Sequence, residues 1–356
     1  MRTDRAFTLV EILVVIAIIG ILVSLVVVAV SGAMRQAKRG RIAMEMSQIA
    51  MALERYKAEF GEYPPDMFDD EALVRHVKKR WPRFELHGSE PYEQAQNIRY
   101  TIACVYMNAD IYTEPLQTEW LGNDSYDIFI AEPLGSLTSL CFWLGGFPDK
   151  EGNFVGFDAD PEAPLGRFEN GTGVPNNGDP SAGNWESVAI GTPDKKVFLE
   201  LTVNKNVYFT GVGESSYMVP CIVNRISSDT VVPYVYFRGR ADGGAEAYGD
   251  FSNPGPGVKH FDFANIQAGY VPDGPRDVSG WRDIGVAVPY AMRGSDSSNV
   301  VWYESSKYQL IHPGLDGKFG EGTGLRIINL GTGIGAQDLD NLTNFSDYKE
   351  LKSILP

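Results

Sequence analysis

The sequence predicts an α+β fold: a long N-terminal transmembrane and amphipathic helix packed on an antiparallel β-sheet, with large loop-rich insertions. Three observations predict it. The chain opens on an apolar run, MRTDRAFTLVEILVVIAIIGILVSLVVVAV, whose apolar periodicity continues through RQAKRGRIAMEMSQIAMALERYKAEFGEYPPD. Its second half holds KVFLELTV, VPYVYFRGR, NVVWYES, KYQLIH and LRIINL, rich in the β-branched and aromatic residues of strands. Between these regions, FPDKEGNFVGFDADPEAPLGRFENGTGVPNNGDPSAGNW is dense in Gly, Pro, Asn and Asp and reads as a long surface loop.

No charged side chain occurs from Ile12 to Met34. At helical rise this run covers about 34 Å, enough to cross a hydrocarbon core of about 30 Å. Glu11 stands at its head, between Val10 and Ile12. A carboxylate costs about 2.5–3.5 kcal/mol at the centre of a membrane helix and less near an end, where it reaches the interface. Further on, Ile42, Met46, Ile49, Leu53, Tyr56 and Phe60 recur at spacings of four and three, which puts them on one helical face. Glu54 and Lys57 can pair on the solvated side. Gly61 and Pro64-Pro65 then stop the helix. The product is one helix of about fifty residues, apolar over 7–34 and amphipathic over 35–60. Short helices are expected around Glu71 to Lys79, Glu93 to Met107 and Ile128 to Leu144.

The stretch AFTLVEILVVIAIIGIL resembles the class III signal of type IV prepilins and type II secretion pseudopilins: a short charged leader, a small residue, Phe, then TLVE and an unbroken apolar helix. The resemblance implies that residues 1–6 are a leader, cut by prepilin peptidase between Ala6 and Phe7, and that Phe7 is then N-methylated. It also implies an inner-membrane anchor, with residues 61–356 forming a pilin-like domain in the periplasm and an insertion over about 70–300. Other pilin or pseudopilin subunits and an inner-membrane assembly platform are the implied partners. Glu11 would face the new amine of a neighbouring Phe7 in the filament. A carboxylate matched with an ammonium recovers much of its desolvation cost, whereas an unmatched one is strongly disfavoured, so this charge acts as a register key. Two features depart from the pattern. Ala6 stands where the family prefers Gly. Arg35, Lys38, Arg39 and Arg41 outnumber Arg2 and Arg5, so a count of basic residues would place the globular domain in the cytoplasm.

A second resemblance joins the ends of the globular region. LERYKAEFGEYPPD is similar to the helix end of major pseudopilins, and YQLIHPGLDGKFGEG resembles their final strand and glycine-rich loop, where an Asp-Gly step contributes to a calcium site. The residues suit that ion. Asp316 lies on a turn that frees the carbonyls of Leu315 and Lys318, and QDLDN adds Asp338, Asp340 and Asn341. Calcium takes about six to eight oxygens from such groups. A plain turn at Asp316-Gly317 with solvated acids nearby is the competing account. Asp158, Asp160, Glu162 and Glu169 in FDADPEAPLGRFE imitate a calcium loop, but Ala163 replaces the required Gly and Pro161 and Pro164 restrict it.

Other classes are disfavoured. A formal charge of −15 opposes a nucleic-acid surface. Cys104, Cys141 and Cys221 form no C-x-x-C pair and allow at most one bridge with one thiol left over. There is no G-x-S-x-G, H-E-x-x-H or Walker loop, so no enzyme is indicated. Gly331, Gly333 and Ala336 imitate a dinucleotide fingerprint, but too little chain follows for a βαβ unit. The expected function is therefore a filament subunit supporting protein export. The alternative is a surface adhesin whose Trp143, Trp185, Trp281 and Trp302 meet a glycan.

Overall fold

The computed structural model describes residues 9–108, 135–168, 188–189, 191–212, 217–227, 230–240, 242–244, 246–250, 257–263, 266–267, 281, 283–294 and 299–356. Helix α1 runs unbroken over Leu9–Phe60. The head buries one face of its second half, at Ile42, Met46, Ile49, Ala50, Ala52, Leu53 and Tyr56, and Phe60 is partly buried at the end of that stripe. The periodic positions that the sequence marks are all in this stripe, and Ala50 and Ala52 are buried beside them. Each fully buried large apolar side chain contributes about 1.5–3 kcal/mol.

Polar hooks fix the helix against the head. Glu45 accepts hydrogen bonds from Asn224 Nδ2 at 2.5 Å and from Tyr234 Oη at 2.9 Å. Near the end of α1, Tyr56 Oη lies 2.6 Å from His76 Nε2, and His76 Nδ1 lies 3.0 Å from Glu62. Burial pushes the His76 imidazole below its ordinary pKa against the pull of Glu62. His76 is therefore neutral at pH 7: Nδ1–H donates to Glu62 and Nε2 accepts from Tyr56. The hydrogen bond from His76 holds the Glu62 carboxyl down at about 2.

Helix α2 spans Asp70–Arg80, with Asp69 as its N-cap accepting from the Ala72 amide, acids in its first turn and bases in its last. Helices α3, Pro91–Asn108, and α4, Thr138–Gly145, follow. Residues 109–134 lie outside the described residues, so the helix expected from Ile128 is seen only in its last part. Trp143 of α4 is fully buried, and its indole donates to the Pro65 carbonyl at 3.0 Å.

The β-structure is divided among several small sheets. Strands β1 (Val207–Val212), β2 (Tyr217–Arg225) and β3 (Val231–Pro233) pair antiparallel in sequence, with β5 (Ile266–Gln267) on the outer edge of β1. Strand β4 (Val235–Arg238) pairs antiparallel with β8 (Tyr308–His312), which also pairs with β10 (Leu342–Thr343). Strands β6 (Tyr290–Arg293) and β7 (Val301–Trp302) are antiparallel, and β9 (Arg326–Ile327) adds to β6 in parallel.

Three strand expectations need correction. KVFLELTV is not a strand: the Phe198 and Leu199 amides both reach the Leu144 carbonyl at the end of α4, so its backbone serves a helix end. NVVWYES keeps only Val301–Trp302. LRIINL is extended only at Arg326–Ile327 and then closes as a 3-10 turn over Ile328–Leu330, with Gly331 left-handed at φ 64°. The first part of the expected surface loop is a set of tight turns joined by backbone bridges, such as Pro148 to Phe154 and Asp158 to Pro193. Residues 169–187 lie outside the described residues.

Candidate functional site

The most distinctive surface is the first half of α1. Its large apolar side chains are all exposed, among them Leu25, Val28 and Met34, and none of its most apolar window is buried by the head. Glu11 lies at the head of the described part of this helix and is its one acidic side chain before Glu45. Ala6 and Phe7 lie outside the described residues. The geometry is that of an apolar helix long enough to cross a membrane, continuous with the amphipathic half that packs on the head. Water is a poor solvent for such a helix, so lipid or other apolar helices must cover it.

The second candidate is the turn after β8. The Leu315 and Asp316 amides both donate to Asp340 Oδ2, at 2.8 and 3.1 Å, and the Lys318 amide donates to Asp316 Oδ1 at 2.8 Å. Gly314, at φ 71°, lets this turn lie flat on Asp340; a Cβ there would stand 2.4 Å from the Asp340 carbonyl oxygen. Asp316 and Asp340 therefore meet, as the calcium expectation requires. Burial, with Asp340 beside it, raises the Asp316 carboxyl to about 6. Asp340 Oδ1 is buried with no hydrogen-bond partner.

Asp338 does not join them. It is fully buried, its Oδ1 lies 2.9 Å from Arg326 Nη1 and 2.6 Å from Tyr290 Oη, and its Oδ2 accepts from the Gly335 amide at 2.8 Å. Both of its oxygens are thus engaged inside the head, away from Asp316 and Asp340. Sequence reasoning missed the Asp338–Arg326 pair because no local pattern links residues on β9 and a later 3-10 turn. Among the described residues, no group of three or more His, Cys, Asp or Glu side chains converges to hold a metal.

The remaining candidates resolve into local structure. Asp158 accepts from the Asp160 and Gly191 amides at 2.9 and 2.6 Å, and Asp160 from the Glu162 amide at 3.0 Å, so these acids fold their own loop. Glu169 lies outside the described residues. Gly331 and Gly333 both take left-handed conformations in one turn. Trp143, Trp281 and Trp302 are at most 4% exposed and belong to the core, which removes them as a glycan platform; Trp185 lies outside the described residues. Cys141 and Cys221 are free and buried, and burial pushes both thiols up. The Cys104 side chain lies outside the described residues.

Comparison with known proteins bears on the helix. Residues 1–32 match the family model of the prokaryotic N-terminal methylation motif. The chain is 39% identical over 74 residues to type II secretion system core protein G of Klebsiella pneumoniae, covering 21% of this chain and 53% of that protein. The same protein of Pseudomonas aeruginosa is 42% identical over 74 residues, covering 21% and 52%, and that of Pectobacterium carotovorum 40% over 71 residues, covering 20% and 46%. The chain thus spans about half the length of the curated relatives it matches. No solved structure matches it. The N-terminal region of this chain accordingly carries a prepilin-type methylation motif and is similar in sequence to type II secretion system core protein G.

Proposed function

We propose that this chain is a structural subunit of a type IV pilus-like filament, a type II secretion pseudopilin with an enlarged head that assembles by helix packing to support protein export. The observation that carries the reading is the exposed apolar half of α1, with Glu11 in its first turn, on a chain whose first 32 residues match the methylation motif. Prepilin peptidase removes residues 1–6 and methylates Phe7. The subunit waits in the inner membrane with its head in the periplasm, and the assembly platform then adds it to the filament. Each Phe7 ammonium meets Glu11 of a neighbour in an apolar surround, so a subunit at the wrong axial height leaves two charges unmatched. No step of this role needs a catalytic residue. Peptide mass spectrometry of the N-terminus, on protein purified from membranes, is expected to find a chain beginning at N-methylated Phe7. A chain beginning at Met1 would remove the amine that Glu11 meets, and with it the filament reading.

In the same reading the turn at Asp316 and Asp340 holds calcium, with carbonyl oxygens of Leu315 and Lys318 as further ligands. The buried, unpartnered Asp340 Oδ1 and the raised Asp316 carboxyl support it, because both are relieved by a cation. A bound ion at a hundredfold excess over its Kd would stabilise the fold by about 2.7 kcal/mol. Calorimetric titration of the full chain in detergent is expected to give binding heat and a raised Tm, both lost in Asp340→Asn. No heat and an unchanged Tm at millimolar calcium would eliminate the site.

A further inference from the structure

Filament packing leaves one sequence feature unused, the basic run RQAKRGR over residues 35–41, which contains no acid in a chain of net charge −15. Helix α1 carries this run unbroken, and its first residue buried by the head is Ile42. The run therefore occupies the stretch between the apolar span, ending at Met34, and the underside of the head. From Met34 to Ile42 the helix rises about 12 Å, while the headgroup layer on each side of a bilayer is about 5–8 Å deep. The cations thus stand at headgroup depth when α1 spans a membrane, and the inference rests on that reading.

Their direction is also set. At about 3.6 residues per turn, Arg35, Lys38, Arg39 and Arg41 share the half of the helix that Ile42, Met46 and Ile49 continue. They project beneath the head. Two of them are committed there. Arg39 lies 2.5 Å from Glu350, which also takes Lys352 at 2.7 Å, and Arg41 pairs with Glu45 at 3.3 Å while donating to the Arg225 carbonyl. Arg35 is exposed and Lys38 half-buried. Among the described residues no acidic side chain forms an ion pair with either.

We infer that Arg35 and Lys38, on the stretch of α1 between the apolar span and the first residue that the head buries, bind the phosphate of an anionic phospholipid in the leaflet facing the head. A guanidinium and an ammonium one helical turn apart suit a phosphodiester, the first by paired N–H donors and the second as a point charge. The contact fixes the axial height of the waiting subunit and must be released when it leaves the bilayer.

The test places the full chain in vesicles of phosphatidylcholine and phosphatidylglycerol and measures, by electron spin resonance, how strongly spin-labelled lipid of each kind is immobilised. Phosphatidylglycerol is expected to be preferred about fivefold for each engaged cation, and the preference is expected to fall as salt rises. The double variant Arg35→Gln, Lys38→Gln should abolish it, while Lys205→Gln on the exposed tip before β1 should leave it unchanged. Both changed positions lie outside the core, and an unaltered Tm would show that the head still folds. Equal immobilisation of the two lipids by a chain that resists carbonate extraction would overturn the inference alone, as would a preference that survives the double variant. Abolition of the preference by inorganic phosphate at constant ionic strength would reassign the two cations to a soluble anion. A chain stripped from the vesicles by carbonate would overturn the spanning reading, and the inference with it.

Discussion

Asp338→Ala is expected to destabilise the head by about 3–5 kcal/mol, because it leaves a buried guanidinium without its counter-charge. Arg326 is 1% exposed and Asp338 fully buried, and their side chains meet at 2.9 Å. Arg326 Nη2 also donates to the Val286 carbonyl at 2.9 Å and Asp338 accepts from Tyr290 at 2.6 Å, while Arg326 Nε and Nη1 are buried without a hydrogen-bond partner, so the guanidinium depends on the charge of Asp338. Gly320 passes so close over this carboxylate that a Cβ there would stand 2.1 Å from Asp338 Oδ2. Removing both charges together, as Asp338→Leu with Arg326→Met, is expected to cost far less than Asp338→Ala, since a buried pair and well-packed apolar residues are often close in free energy. Urea unfolding of the three proteins measures both values. A loss under about 1 kcal/mol for Asp338→Ala would mean that the pair is hydrated rather than buried. The loss should be the same with and without calcium, because Asp338 is turned away from Asp316 and Asp340.

Stability is expected to fall as pH drops below neutrality, through two buried histidines of the head. His312 is fully buried; its Nδ1 accepts from the Gly314 amide at 3.1 Å, and its Nε2 has no partner. Burial, with Arg41 nearby, pushes its imidazole down to about 3 from an ordinary 6.5. Below pH 6.5 the unfolded chain binds a proton at this position and the folded chain does not, until about pH 3. Each pH unit within that window therefore removes about 1.4 kcal/mol of stability. His76 is lowered by burial as well and adds to the loss in the same direction. His312→Asn keeps an acceptor for the Gly314 amide and cannot titrate, so it should remove one proton's share of the slope. Urea unfolding from neutral pH down to about pH 5 checks this; Asp316, raised to about 6, takes up a proton in the folded head below that pH and offsets part of the loss, so the decisive comparison is with the variant, and a His312→Asn slope equal to the wild type's would contradict the claim.

Much of the helical structure was legible in the residue order. The i, i+3 and i+4 recurrence from Ile42 to Tyr56 reports a buried face wherever the helix lies, and the helix expected around Glu71 to Lys79 is α2. Strand β8 was legible because KYQLIH is dense in strand-forming residues and bounded by turns. The β1–β2 pairing was not. Pro220 sits in the middle of β2, where it normally argues against a strand, yet it pairs opposite Phe209. The signal that could have found it was the pair of aromatic and β-branched runs, VYFTGV and YMVPCIVNR, flanking GESS.

The residue order alone specifies the segments whose properties are local: an uncharged run as long as a bilayer is thick, one carboxylate at its head, a basic collar after it and a single buried stripe along the helix beyond. Each depends on composition and period, which no distant contact can alter. Folding settled what depends on residues far apart in the chain. It turned Asp338 to Arg326 and left Asp340 facing Asp316, although Asp338 and Asp340 are two residues apart. It also took Trp143, Trp281 and Trp302 into the core. A carboxylate gains most where it finds a counter-charge in a dry interior and an indole where it loses most contact with water. Those positions exist only once the sheets and helices have closed around them.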